Sequence, residues 1–176
     1  MHPGRNLLRG KRIVVVDNEA IARDPSPDRA TAIHRMRLAV HREWGENYRA
    51  GQFVMLRVDA QGERIPLTVA DYDPTDSVLT LVFQVVGAPT RSLAEASVGS
   101  AIEDVTFPLG RGIDLSPPDP GRDIAIVVGG GIGAVPSHAK AKALAAAGYR
   151  VVSLLGARTT PLLVLDRVGE GRVAQF

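Results

Sequence analysis

Hydrophobic and polar positions alternate strictly over residues 32–41: Ala32, His34, Met36, Leu38 and Val40 fall on one side, Arg35, Arg37 and His41 on the other. A period of two predicts a half-buried antiparallel strand. Apolar, β-branched runs over residues 12–16, 51–58, 67–71, 78–86 and 101–105 read as further short strands. Gly- and Pro-rich breaks separate them: Asp24-Pro25-Ser26-Pro27-Asp28 is a surface loop, Asp73-Pro74 ends a strand, and Gly87-Ala88-Pro89-Thr90 turns the chain into a short helix over residues 92–96. Residues 44–48 read as a loop. Six short strands punctuated in this way, up to Pro108-Leu109-Gly110, predict a small antiparallel barrel.

The pattern changes after residues 116–121, a proline-stiffened stretch that no apolar period crosses and that reads as a linker. Ile124 to Val128 are five apolar residues without alternation, predicting a parallel strand buried on both faces. Gly129, Gly130, Gly131 and Gly133 follow, and Pro136 opens an Ala-rich helix that stops at Gly148. A second strand over residues 150–155 and a helical stretch near residues 162–168 complete the pattern. The expected organisation is a barrel domain over residues 1–115, a linker over 116–121, and an incomplete Rossmann-like α/β domain over 122–176.

Strand, glycine turn and helix start in this order make a phosphate site, because the turn lets backbone approach a pyrophosphate and the helix offers unpaired N–H groups. Gly129, Gly131 and Ala134 fit G-x-G-x-x-G/A in the required context; the alternative is a tight turn that binds nothing. No Asp or Glu closes the second strand, where Gly156-Ala157-Arg158 stands instead, so the usual ribose contact of an NAD dehydrogenase is missing. Arg158 is either a ribose-phosphate contact or a solvated loop arginine. His138, Lys140 and Lys142 read as an exposed helix face.

Composition narrows the function classes. The chain has 176 residues, 45% of them hydrophobic, a net charge of +2 and no cysteine. No basic run with interleaved aromatics supports nucleic-acid binding, and no apolar stretch has membrane-spanning length. With no signal-like apolar core at the start, a cytoplasmic location is expected. Zero cysteine excludes disulfides, thiolate catalysis and a cysteine-ligated zinc or iron–sulfur centre on this chain. His34 has no second ligand at suitable spacing, so no metal is expected.

Six collinear stretches carry a resemblance: Gly51-Gln52-Phe53-Val54; the run from Gly62 to Asp71; Phe83-Gln84-Val85-Val86-Gly87 through Thr90; Pro108-Leu109-Gly110; the glycine turn with Pro136; and Gly156-Ala157-Arg158. Together they resemble the ferredoxin–NADP reductase superfamily. Within it they are most like the dihydroorotate dehydrogenase electron-transfer subunit, sulfide dehydrogenase and the small subunit of NADH-dependent ferredoxin:NADP oxidoreductase. The resemblance implies FAD on the barrel and NAD(P)H at the glycine turn, with hydride passing from nicotinamide C4 to flavin N5 and electrons passing on to a larger catalytic or electron-accepting subunit.

The same resemblance implies roles for residues. The family's Arg-x-x-Ser/Thr flavin motif falls on Arg64 to Thr68, through Pro66 and Leu67, with the arginine on flavin phosphate and the hydroxyl near N5. Here Arg64 lies four residues before Thr68 and Ile65 holds the arginine's place, which makes Thr68 the stronger candidate. Each also has a plain alternative, a surface loop arginine and a strand threonine. Gly87 to Thr90 would hold the FAD pyrophosphate through backbone N–H groups and the Thr90 hydroxyl. Gly129, Gly130, Gly131, Gly133, Pro136 and Arg158 would receive NAD(P)H. Family members continue into further strands and a cysteine cluster for a [2Fe–2S] centre, whereas this chain stops at Phe176 without cysteine. The α/β unit is therefore expected to be truncated and unstable alone: a fragment, a form completed by a partner, or a degenerate relative. The alternative function is a non-catalytic flavin- or partner-binding module; a third is a nucleotide-binding protein whose barrel holds no flavin.

Overall fold

Alternation in the sequence becomes a seven-stranded antiparallel sheet in the computed structural model, which describes residues 12–24, 31–119, 123–159 and 162. Its strands are β1 (Ile13–Arg23), β2 (Ala32–Ala39), β3 (Phe53–Arg57), β4 (Ile65–Asp73), β5 (Val78–Gln84), β6 (Ala101–Ile102) and β7 (Asp104–Leu109), in the order β6-β1-β2-β5-β4-β3-β7. The two ends of that order, β6 and β7, are separated in sequence by Glu103 alone, so the chain itself all but closes the sheet into a barrel. Near-closure leaves little free edge to aggregate. The expected six strands are seven because residues 101–105 divide: Ala101 and Ile102 pair with β1, while Asp104 and Val105 pair with β3.

Inward-facing side chains fill the barrel. Val15, Met36, Leu38, Val54, Val69, Leu79 and Leu81 are fully buried there, and each such side chain removed from water contributes about 1.5–3 kcal/mol. β1 runs past residue 16, where the apolar run ends, because Asp17 and Glu19 meet Arg35 across the ladder at 3.0 and 2.6 Å. Cross-strand opposite charges keep a polar stretch extended.

Two short helices brace the barrel. Residues 44–48, expected as loop, contribute to α1 (Arg42–Glu46), a single turn with Trp44 and Gly45 buried. The Tyr72 ring lies on Gly45 so closely that a Cβ there would fall 1.6 Å from Tyr72 Cζ. α2 (Ala88–Ala94) starts before residue 92, since Pro89 suits a first helical turn. Asn18 on β1 donates its Nδ2 hydrogens to the carbonyls of Leu93, Ala94 and Ala96 at 2.9–3.1 Å, tying down the C-terminal end of α2.

The remaining described residues form β8 (Ile124–Gly130), a 3₁₀ turn (Gly131–Gly133), α3 (Ala134–Ala146) and β9 (Arg150–Gly156), with β8 and β9 parallel. β8 departs from the expectation of burial on both faces: Ile124, Ile126 and Val128 are 48%, 65% and 71% exposed. Val152 and Leu154 stand beside Ile126 and Val128 in register, so the sheet shows one open apolar face. The physical reason is that α3 covers one face of a two-stranded sheet, and no described residue covers the other. Leu162 is buried; the rest of the expected helical stretch to residue 168 lies outside the described residues, as do the last two residues of the expected linker. No described helix is long and apolar enough to cross a membrane.

α3 leans on the barrel. Ile21, Ile33, Ala70 and Val82 from the strands pack with Val135 of α3 and with Leu162 in a second apolar cluster. His34 stacks on Phe83 with ring centroids 5.9 Å apart, and burial together with Arg23 holds its pKa below the usual value. Burial also lowers His138 on α3, with Asp71 pulling upward and Lys142 downward.

Replacing Gly45 with alanine is expected to displace the Tyr72 ring and cost about 1–3 kcal/mol, measured as a lower urea midpoint with unchanged slope. For the two histidines the folded pKa lies below the unfolded one, so on acidification the unfolded chain takes up protons first. Stability should therefore fall as pH drops through about 6.5, and the double substitution His34→Gln and His138→Gln should flatten that fall in urea titrations.

Candidate functional site

The glycine turn joins β8 to α3 under two different demands. Gly129 is required by packing: a Cβ there would meet Ser137 Oγ at 2.7 Å, Leu155 Cδ2 at 2.9 Å and Ala134 Cα at 3.0 Å. Strand and helix can approach this closely only without a side chain. Ser137 locks the approach, its hydroxyl lying 2.9 Å from Gly133 O and 3.1 Å from Val128 O and donating between them. Gly130, Gly131 and Gly133 are different, since a Cβ on any of them would meet nothing within 4 Å, and the same holds for Gly156, the register partner of Gly130. Gly131 additionally has φ +53, a conformation glycine adopts freely.

The result is an open, glycine-rich cradle at the carboxyl ends of two parallel strands; the 3₁₀ turn runs straight into α3, with the Ala134 N–H bonded back to Gly131 O and Ile132 O, so the N–H groups at the positive end of the helix are those of the turn itself. Open α/β sheets bind ligands at this end of their strands. Pro136 stands at the third position of α3, where its missing N–H costs nothing. Arg158 follows β9 at the same end; it is exposed and makes no ion pair with a described residue.

On the barrel, β4 carries the second group of candidate residues. Ile65, Leu67 and Val69 pack with the barrel core, so Pro66, Thr68 and Ala70 point outward by alternation. Thr68 pairs with Phe53, and Val69 N donates to Gln52 O at 3.3 Å. Gln52 in turn donates through Nε2 to Gly110 O at 3.0 Å. Three of the stretches that carry the family resemblance are thus in direct contact. Arg64, at the far end of this segment, is engaged in an ion pair with Asp104 of β7.

Gly87 to Thr90 form the start of α2. The Thr90 hydroxyl donates to Gly87 O at 3.0 Å and accepts from Val86 N at 3.0 Å and Gly87 N at 3.1 Å. It is therefore occupied as a cap, and the first-turn N–H groups of Ala88 and Thr90 are the donors left for an anion. For a pyrophosphate this loop fits through backbone, with the hydroxyl shaping it.

Sequence reasoning missed Ser137, Asn18 and Asp71. Ser137 carried a signal, a serine four residues beyond Gly133 in a first helical turn, the spacing at which a hydroxyl reaches back to a carbonyl. Asp71 carried none. Its carboxylate accepts both contacts from Lys142 Nζ of α3, at 2.7 and 2.8 Å; burial, and after it the Asp71 charge, pushes the Tyr48 phenol up to about 12. Lys142, expected as a solvated face, is thus a polar link between α3 and β4.

No family model matches the chain. A dihydroorotate dehydrogenase B (NAD(+)) electron transfer subunit homolog from Thermotoga maritima is 40% identical over 117 residues, covering 66% of this chain and 40% of that protein. The electron transfer subunit of the same name from a Geobacillus strain is 32% identical over 164 residues, covering 92% and 60%. The solved structure of an NADH-dependent reduced ferredoxin–NADP oxidoreductase, described in connection with flavin-based electron bifurcation, superposes with a TM-score of 0.74 at 33% identity, covering 87% of this chain and 51% of that one. The chain spans roughly 40–60% of the length of these proteins. With a near-closed antiparallel barrel followed by a parallel βαβ unit with a glycine turn, the chain has the fold of the ferredoxin–NADP reductase superfamily and resembles in sequence the dihydroorotate dehydrogenase electron transfer subunits.

Proposed function

We propose that this chain is a flavin-dependent electron-transfer module that takes hydride from NAD(P)H and delivers electrons to a larger partner subunit. Residues 1–115 would hold FAD and residues 122–176 NAD(P)H. The observation that carries the reading is the cradle: beside Gly131, whose backbone itself calls for glycine, Gly130, Gly133 and Gly156 leave open space where side chains would stand, which the fold alone does not require. Relatives named as electron transfer subunits support delivery to a partner.

When bound, the cofactors would supply the redox chemistry, a hydride transfer from nicotinamide C4 to flavin N5. The chain's own residues bind and orient. The glycine N–H groups and the start of α3 receive the nucleotide's phosphates, and the first-turn N–H groups of α2 receive the flavin's. Thr68, outward on β4 with Pro66, would offer its hydroxyl to the flavin ring, while Leu67 packs inward and supports that face. Arg64 is held by Asp104, so its part in flavin binding requires leaving that pair or reaching phosphate from within it. Arg158, exposed after β9, would contact the ribose end of the nucleotide. A second reading, a binding module without turnover, is favoured by one observation, the uncovered apolar face of β8 and β9.

The test is the visible spectrum of the purified chain after incubation with FAD and removal of the excess, followed by anaerobic NADH or NADPH. Retained flavin bands that bleach are expected. Bands that persist support the second reading, and folded protein without bands refutes both. Gly133→Val fills open space only, so it should keep the flavin yet weaken NAD(P)H at least about tenfold, equivalent to ~1.4 kcal/mol.

A further inference from the structure

Three features join α3 to the barrel, and they differ in kind. Near its N-terminus Val135 packs on Ala70 and its neighbours in the second apolar cluster. The Lys140 stem crosses Gly51, its Cε 3.3 Å from where a Cβ would stand. Lys142 closes on both oxygens of Asp71. Val135 and Lys142 are seven residues apart, which places the apolar and ionic anchors ~10 Å apart along the helix axis. One anchor leaves a helix free to pivot; two separated anchors fix its pitch.

β4 is built to supply the second anchor. Its ladder with β5 pairs Val69 with Leu81 and Asp71 with Thr80, so Ala70 is an extra residue in a bulge. Regular alternation would turn Asp71 into the barrel with Val69. The bulge instead puts Ala70 and Asp71 on the same outer face as Thr68 and returns Tyr72 to the core. The carboxylate also accepts from Tyr72 N at 2.9 Å, which holds it in place for Lys142.

The pair is too exposed to matter much for stability: the Lys142 side chain is 58% and the Asp71 side chain 30% accessible. We propose that it is a positioning element, setting the angle at which α3 and its glycine cradle stand over the face of β4 that carries Thr68. The inference rests on the proposed hydride transfer, for which small misplacements of the two reacting rings are costly. Asp71 and Lys142 touch neither cofactor in this account; they act through α3.

Three variants test it: Lys142→Met, Asp71→Asn, and the charge swap combining Asp71→Lys with Lys142→Asp. The single variants should bind FAD and denature as the parent does, while flavin reduction at saturating NAD(P)H slows about 10- to 100-fold. The long-wavelength charge-transfer band of reduced flavin with oxidised nicotinamide should weaken, and the charge swap should restore part of both. A flavin-independent readout separates failure of this inference from failure of the function. Because the chain has no cysteine, Glu95→Cys and Ala145→Cys label uniquely, placing one spin label on the barrel and one on α3. Their distance distribution should broaden in Lys142→Met and narrow again in the charge swap. Unchanged distances together with unchanged reduction rates overturn the inference. Broadened distances in Lys142→Met, when the parent itself neither retains FAD nor is bleached by NAD(P)H, would keep the anchor and refute the hydride role.

Discussion

The site depends on one irregularity in the backbone, the bulge of β4 between Val69 and Asp71. A strand has two faces, and a regular β4 would give its outer face every second residue. With the extra residue, Thr68, Ala70 and Asp71 all face outward while Leu67, Val69 and Tyr72 stay with the core. That face is where α3 rests, through Val135 on Ala70 and Lys142 on Asp71. Since α3 begins directly after the glycine turn, the bulge relates the barrel's candidate flavin residues to the cradle.

The α/β unit shows the opposite economy. α3 satisfies one face of β8 and β9, and the barrel satisfies α3, but Ile126, Val128, Val152 and Leu154 face away from every described residue. Burying such side chains is the main favourable term in folding, so this unit draws its stability from its contact with the barrel and from whatever covers that face. The cradle lies at the end of the same two strands, beyond the exposed apolar stretch, and is shaped by Gly129 and Ser137, which the chain supplies itself.

Much of this was legible in the sequence because it follows from periodicity. Strict alternation over residues 32–41 became β2, and the apolar run, glycines and Ala-rich stretch became β8, its turn and α3. Other features have no local signature. A five-residue helix with a central Gly45 looks like loop until Tyr72 packs on it from elsewhere in the chain. The division of residues 101–105 between two strands follows from barrel closure, a global condition. The bulge in β4 sits inside Leu67-Thr68-Val69-Ala70-Asp71, whose pattern does not show which residue is extra. The exposure of Ile126 and Val128 was misread because an unbroken apolar run records what a strand is suited to, and the described residues cover only one side. The sequence around Thr90 does not show that its hydroxyl also shapes the α2 start, donating to Gly87 O.

With the nucleotide's phosphates held in the glycine cradle, its nicotinamide would meet a flavin on the outer face of β4 directly and in one orientation. Reduction of the FAD-loaded chain by NAD(P)H carrying deuterium on one or the other face of C4 measures this. Slower bleaching with deuterium on one face only is expected, with transfer of that face's label alone. Slowing by neither label, or equal loss of label from both faces, would contradict it.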